Sequence, residues 1–144
     1  MNEKILTDRY DINVRFGETD AMGVVWHGNY LKFFEDGRES FGRSYGLKYL
    51  WIFENGFYTP IVSIKCDYKK PLYYGEDAYV ITRYRDCEAA KIQFEYEIRR
   101  SSDDVILAIG ESLQVFITHE HELILTSPQF FLEWKKKYLE CDQF

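Results

Sequence analysis

Residues 17–36 read GETDAMGVVWHGNYLKFFED and run on into GRESFGRSYG at 37–46. The first half has loop character. Two carboxylates, Glu18 and Asp20, stand ahead of the Gly-containing apolar run Met22-Gly23-Val24-Val25-Trp26, and His27 follows at once. The second half changes period. Tyr30, Phe33, Phe34, Gly37, Phe41 and Tyr45 recur at spacings of three and four, with Lys32, Glu35, Asp36, Arg38, Glu39 and Arg43 largely opposite. That pattern predicts one amphipathic helix of about four to five turns, starting near His27 or Gly28 and stopped by Gly46.

Working outward, YDINVRF (10–16) alternates in character and predicts a first strand. LKYLWIFENG (47–56) reads as a short second helix or a compact connection. Four strands are expected beyond it. The first covers 58–70, with Pro60 near its start and Pro71 just past its end; the second covers 76–86, entered through Gly75. In KIQFEYEIR (91–99), Ile92, Phe94, Tyr96 and Ile98 alternate with polar residues, the pattern of a half-buried strand. SSDD (101–104) forms a hairpin turn, and VILAIGESLQVFIT (105–118) is apolar on both faces, as a central strand is. A last helix over 127–139 opens with Ser127 as N-cap and Pro128 at its first position. The order predicts an α+β fold in one domain, 1–144, with an antiparallel sheet packed against, or curled around, the early helix.

The bulk numbers agree with a globular chain of 144 residues, 46% hydrophobic and 29% charged. A net charge of −6 argues against nucleic-acid or anionic-membrane binding. No apolar run reaches the ~20 residues of a membrane span, so no membrane insertion is expected, and the N-terminus has no apolar signal segment. Cys66, Cys87 and Cys141 form no CxxC pair or disulfide framework and read as reduced thiols of a cytoplasmic protein.

The opening stretch can carry chemistry. At a helix start the first N–H groups lack intrahelical acceptors and carry the positive end of the dipole, so they can hold a carbonyl oxygen as it gains charge. Asp20, on a loop turned by Gly23, could fold back to bring a carboxylate to the same point, while Gly28 allows close approach by a ligand. A carboxylate beside an oxyanion site suits acyl transfer to water. Spacing alone leaves the alternative open that Glu18 and Asp20 are solvated loop acids and His27 a helix-end residue.

FGETDAMGVVWHGNYLKFFEDGRESF (16–41) resembles the motif of the 4-hydroxybenzoyl-CoA thioesterase family, which includes Tol-Pal-associated acyl-CoA thioesterases. The shared pattern is acid-x-Asp, two residues, Gly-[Ile/Val]-Val, an aromatic, His or Tyr, one residue, then Asn-Tyr and a helix. TPIVSIKCDYKKPLYYGED (59–77) is similar to a second family segment, and the resemblance runs from about residue 10 to 120. It implies the hotdog fold, an antiparallel sheet wrapped around one long helix. It implies an acyl-CoA substrate, with Asp20 as nucleophile or general base and the backbone N–H of His27 polarising the thioester carbonyl. The His27 side chain would help position substrate or water, and Gly23, Val25, Trp26, Gly28 and Thr59 would form the substrate-binding set. No cofactor and no metal are implied. Family members are dimers or dimer-of-dimers tetramers with active sites at the dimer interface, so a homo-oligomer is expected.

The chain departs from the pattern at RDCEAAKIQ (85–93), where some members carry a basic cluster for CoA phosphates and this one has only Arg85 and Lys91. Trp26, Phe33, Trp51, Phe53, Phe57 and Tyr58 could line an acyl channel but read chiefly as core or interface. HEHE (119–122) lacks a third metal ligand and reads as a solvated turn. Ser63 and Ser112 have no GxSxG context, and WKKKY (134–138) suits the C-terminal end of the last helix. Two rival functions remain. A hotdog hydratase or dehydratase would pair Asp with His as acid and base, and a non-catalytic module would only bind acyl thioesters.

Overall fold

The computed structural model describes residues 5–140; Cys141 lies outside them. In chain order come β1 (Leu6–Asn13), a 3₁₀ turn (Phe16–Glu18), α1 (Asn29–Tyr45), α2 (Tyr49–Glu54), β2 (Phe57–Tyr58), β3 (Ile61–Tyr68), β4 (Asp77–Arg85), β5 (Lys91–Arg100), β6 (Ile106–Val115), β7 (Ile117–Thr118) and α3 (Gln129–Lys135), which runs into a π-helical turn (Lys136–Glu140). Five strands form one sheet in the order β1-β4-β5-β6-β3, and β2 pairs with β7 apart from it. Every pairing is antiparallel. The class is α+β, as the element order predicts.

The helix α1 is 17 residues long, and Gly46 ends it in the left-handed region at φ 71°, a conformation that glycine adopts without a Cβ clash. Its apolar stripe, Tyr30, Phe33, Phe34, Gly37 and Phe41, is buried. So is the inward half of β5: Ile92, Phe94, Tyr96 and Ile98. Phe34 stacks on Tyr96 at 4.5 Å, and Phe41 meets Phe94 edge-on at 5.0 Å. Each fully buried ring contributes on the order of 2–3 kcal/mol of hydrophobic stabilisation. Two glycines let the layers approach this closely. A Cβ on Gly110 of β6 would lie 2.4 Å from Phe34 Cε2 and 2.7 Å from the Lys65 carbonyl; one on Gly37 would lie 2.4 Å from Thr82 Oγ1.

Several boundaries differ from the sequence reading, each for a tertiary reason. The first strand covers Leu6–Asn13 rather than 10–16, because its register with β4 runs from Leu6↔Tyr84 to Asn13↔Asp77. Asp8, which breaks the apolar pattern, instead accepts the hydroxyls of Ser40 (2.6 Å) and Ser44 (2.5 Å) from α1. The expected 58–70 strand is split around Thr59 and Pro60, and its first piece pairs with β7 instead of the main sheet. The expected 105–118 strand breaks at the buried Phe116. In α3, Pro128 takes the N-cap position, while the Ser127 hydroxyl donates to Ala89 O at 3.5 Å. Residues 119 and 120 form the expected turn, with Glu120, His121 and Glu122 exposed. The His119 ring is tilted against Phe53 at 4.5 Å and Tyr58 at 4.9 Å, and its Nε2 is buried.

Candidate active site

The loop between β1 and α1 is a small closed hairpin. The N–H of Trp26 donates to Glu18 O (2.9 Å), the N–H of Asp20 donates to Val24 O (2.8 Å), and Thr19 bridges Val25. Gly23 turns it at φ 78°. The returning arm docks on the segment after β3: the Val25 N–H donates to Leu72 O and the Tyr74 N–H to Gly23 O, both at 2.8 Å. Part of the second family-like segment therefore holds the first in place.

Asp20 is exposed. Its Oδ1 accepts the N–H of Met22 (2.8 Å) and of Val24 (3.1 Å). Its Oδ2 has no hydrogen-bond partner among the described residues. One oxygen fixes the carboxylate to its own loop and the other is unengaged among the described residues. Glu18 is 8% exposed and has a different task. Its Oε1 accepts the Arg15 N–H at 2.7 Å, and Lys32 Nζ donates to Oε2 at 2.8 Å. Burial by itself would push its pKa up, but the Lys32 hydrogen bond and charge together with the Arg15 N–H bring it below the ordinary value. The Glu18 carbonyl also accepts Asn29 Nδ2 at 2.8 Å, which ties the loop to the first residue of α1. Sequence reading assigned no role to Asn29, although its Asn-Tyr pair was the visible signal.

At the helix start, the N–H of Asn29 donates to Trp26 O (2.9 Å) and the N–H of Tyr30 to His27 O (3.2 Å). Among the described residues the N–H groups of His27 and Gly28 meet no acceptor. The His27 side chain is exposed, its ring tilted against Trp26 at 4.8 Å. Trp26 is 54% exposed and lies over Gly28, where a Cβ would meet the indole at 2.0 Å. No hydrogen bond or ion pair joins Asp20 to His27 among the described residues.

Two further residues expected at the site, Val25 and Thr59, are buried. Val25 is 3% exposed, so its side chain belongs to the core. Thr59, 5% exposed, lines a cavity of about 690 Å³ with Arg38, Arg43, Lys48, Phe94 and Gln114. No residue of the 17–28 loop lines that cavity. Of the six aromatics considered for an acyl channel, none lines it, and Phe33 is buried in the core.

An antiparallel sheet with a helix packed on it is the arrangement of the solved thioesterases that this chain resembles. The pattern of the Thioesterase-like superfamily matches residues 14–135, and the chain belongs to that superfamily. It is a thioester hydrolase. It is 33% identical over 128 residues to a protein of Bacillus subtilis (strain 168) named "Putative acyl-CoA thioesterase YneP", covering 89% of this chain and 92% of that one. The solved DHNA-CoA thioesterase of Staphylococcus aureus superposes with a TM-score of 0.81 at 26% identity, covering 92% and 88% of the two chains. The 4-hydroxybenzoyl-CoA thioesterase of Pseudomonas sp. strain CBS-3 superposes with a TM-score of 0.76 at 19% identity, covering 89% and 98%. That last likeness shows the fold alone, so the membership shown is the superfamily, not the 4-hydroxybenzoyl type in particular.

Proposed function

We propose that this chain is a single hotdog domain that hydrolyses acyl-CoA, with Asp20 as the catalytic carboxylate and the backbone N–H of His27 as oxyanion donor. The observation that carries this reading is the asymmetry of Asp20: Oδ1 is tied to its own loop and Oδ2 is free. Oδ2 either attacks the thioester carbon, expelling the thiolate and leaving a mixed anhydride for water to open, or takes a proton from the attacking water. In both routes the carbonyl oxygen gains charge and the helix-start N–H stabilises it. His27, Gly23, Gly28 and Trp26 frame the thioester. The acyl group is read as aromatic by likeness to the Staphylococcus aureus protein, whose name specifies DHNA-CoA. An acyl-CoA substrate and unpaired thiols fit a cytoplasmic enzyme.

We also propose a dimer or a dimer of dimers, with the sheet curled around α1. Strand β3 is at a sheet edge, and Ile61, Val62 and Tyr68 on it are exposed; an open apolar edge favours pairing. Thr59 and its cavity, apart from Asp20 within one chain, would then serve a site completed by a second copy. The test is thiol release from a panel of aromatic and aliphatic acyl-CoAs. Thiol release from at least one of them that is lost in Asp20→Asn supports the reading. Parent-level turnover by that variant overturns it.

A further inference from the structure

Two consecutive peptide units at the start of α1 are anchored by their oxygens and, among the described residues, free at their nitrogens. The Trp26 carbonyl accepts the Asn29 N–H at 2.9 Å, which sets the plane bearing the His27 N–H. The His27 carbonyl accepts twice. One donor is the Tyr30 N–H at 3.2 Å. The other is not local: the phenol of Tyr68, at the end of β3, donates at 2.8 Å. In a trans peptide the C=O and the following N–H lie antiparallel in one plane, so whatever grips the His27 oxygen also aims the Gly28 N–H. Hydrogen bonding at the oxygen end also polarises the unit and strengthens the donor at the other end.

We propose that Tyr68 is a positioning residue that orients and polarises the His27–Gly28 peptide, making the Gly28 N–H a second oxyanion donor beside that of His27. The proposal rests on the thioesterase reading of this loop. The surroundings of the phenol suit the task. Its ring meets Tyr30 edge-on at 5.0 Å and His27 edge-on at 6.1 Å, which restricts its swing. Although the residue as a whole is exposed, partial desolvation of its phenol and then the neighbouring Cys66 push its pKa up to about 12, so the group remains a donor throughout the neutral range. Glycine suits position 28 because a Cβ there would displace the Trp26 indole.

The test compares full-length parent and Tyr68→Phe, a change that removes only the hydroxyl. Thermal unfolding confirms that the variant is folded. Amide ¹H–¹⁵N spectra then read the peptide directly: loss of a hydrogen bond to the His27 oxygen shifts the Gly28 nitrogen resonance upfield. Kinetics on whichever acyl-CoA the parent hydrolyses should show kcat lower by about 5- to 10-fold with KM within about 2-fold, the split expected when only transition-state stabilisation is lost. An unmoved Gly28 resonance in the folded variant overturns the proposal. So does an unchanged kcat, or a KM rise that accounts for the whole loss. If the parent hydrolyses no thioester, the functional reading fails, while the resonance still decides whether Tyr68 orients this peptide.

Discussion

Lys32, one turn into α1, reaches back to Glu18 and donates to its Oε2 at 2.8 Å. The contact binds the helix to the loop that carries Asp20, two residues further on. Glu18 and Asp20 look equivalent in the sequence, yet one is 8% exposed and doubly engaged, while the other is exposed with an oxygen free.

Glu18→Gln should destabilise the fold by roughly 1–3 kcal/mol at neutral pH, the usual effect of weakening a buried charge-assisted hydrogen bond. Folding lowers the pKa of Glu18 below 4.5. Its contribution is therefore complete above that value and is lost as pH falls through the depressed folded value. Urea unfolding of parent and variant should show a gap at neutral pH that narrows in acid. A gap independent of pH would remove the carboxylate from the explanation.

Asp20→Asn should lower thioester hydrolysis by at least ~10²-fold while leaving the loop intact. The amide oxygen can still accept the Met22 and Val24 N–H groups that Oδ1 accepts now. Thiol release together with an unchanged unfolding midpoint checks both halves of the expectation.

His27→Ala separates backbone from side-chain chemistry. The backbone N–H survives and the imidazole does not, so activity should fall on the order of 10- to 10²-fold, less than for Asp20→Asn. Equal, near-total losses in both variants would make the imidazole an essential acid or base. That outcome is what a hydratase mechanism requires.

Gly110→Ala should cost about 1–3 kcal/mol through overpacking. The added methyl meets the buried Phe34 ring and the Lys65 carbonyl at once, and neither is the end of an exposed flexible chain. Chemical denaturation measures the loss; a neutral substitution would show that α1 can lift from the sheet freely.

Sedimentation at micromolar concentration should show a dimer or tetramer, and a charge placed on the exposed edge at Val62 (Val62→Lys) should shift it towards monomer. A parent protein that is already a stable monomer would rule out a site shared between copies.

Periodicity determined much of this protein on its own. The spacing of Tyr30, Phe33, Phe34, Gly37 and Phe41 predicted α1 to within a residue at its C-terminus, and the alternation from Ile92 to Ile98 predicted β5 and its inward face. These are local repeats of 3.6 and 2 residues, and burial of one face enforces them. The motif around Asp20 and His27 was legible as a string of residue types. Only the tertiary structure decided where each member sits and what it contacts. It buried Val25 and Glu18, left one oxygen of Asp20 unengaged, put Thr59 in the lining of a cavity, and brought Tyr68, far along the chain, onto the His27 carbonyl. Contacts of that kind join residues with no fixed spacing. They follow from strand register and loop docking, such as the Val25–Leu72 and Gly23–Tyr74 hydrogen bonds, which no local pattern encodes. The same reason accounts for the mistaken ends of β1 and β3, where pairing with β4 extended one strand and Pro60, lacking an N–H, helped cut the other short.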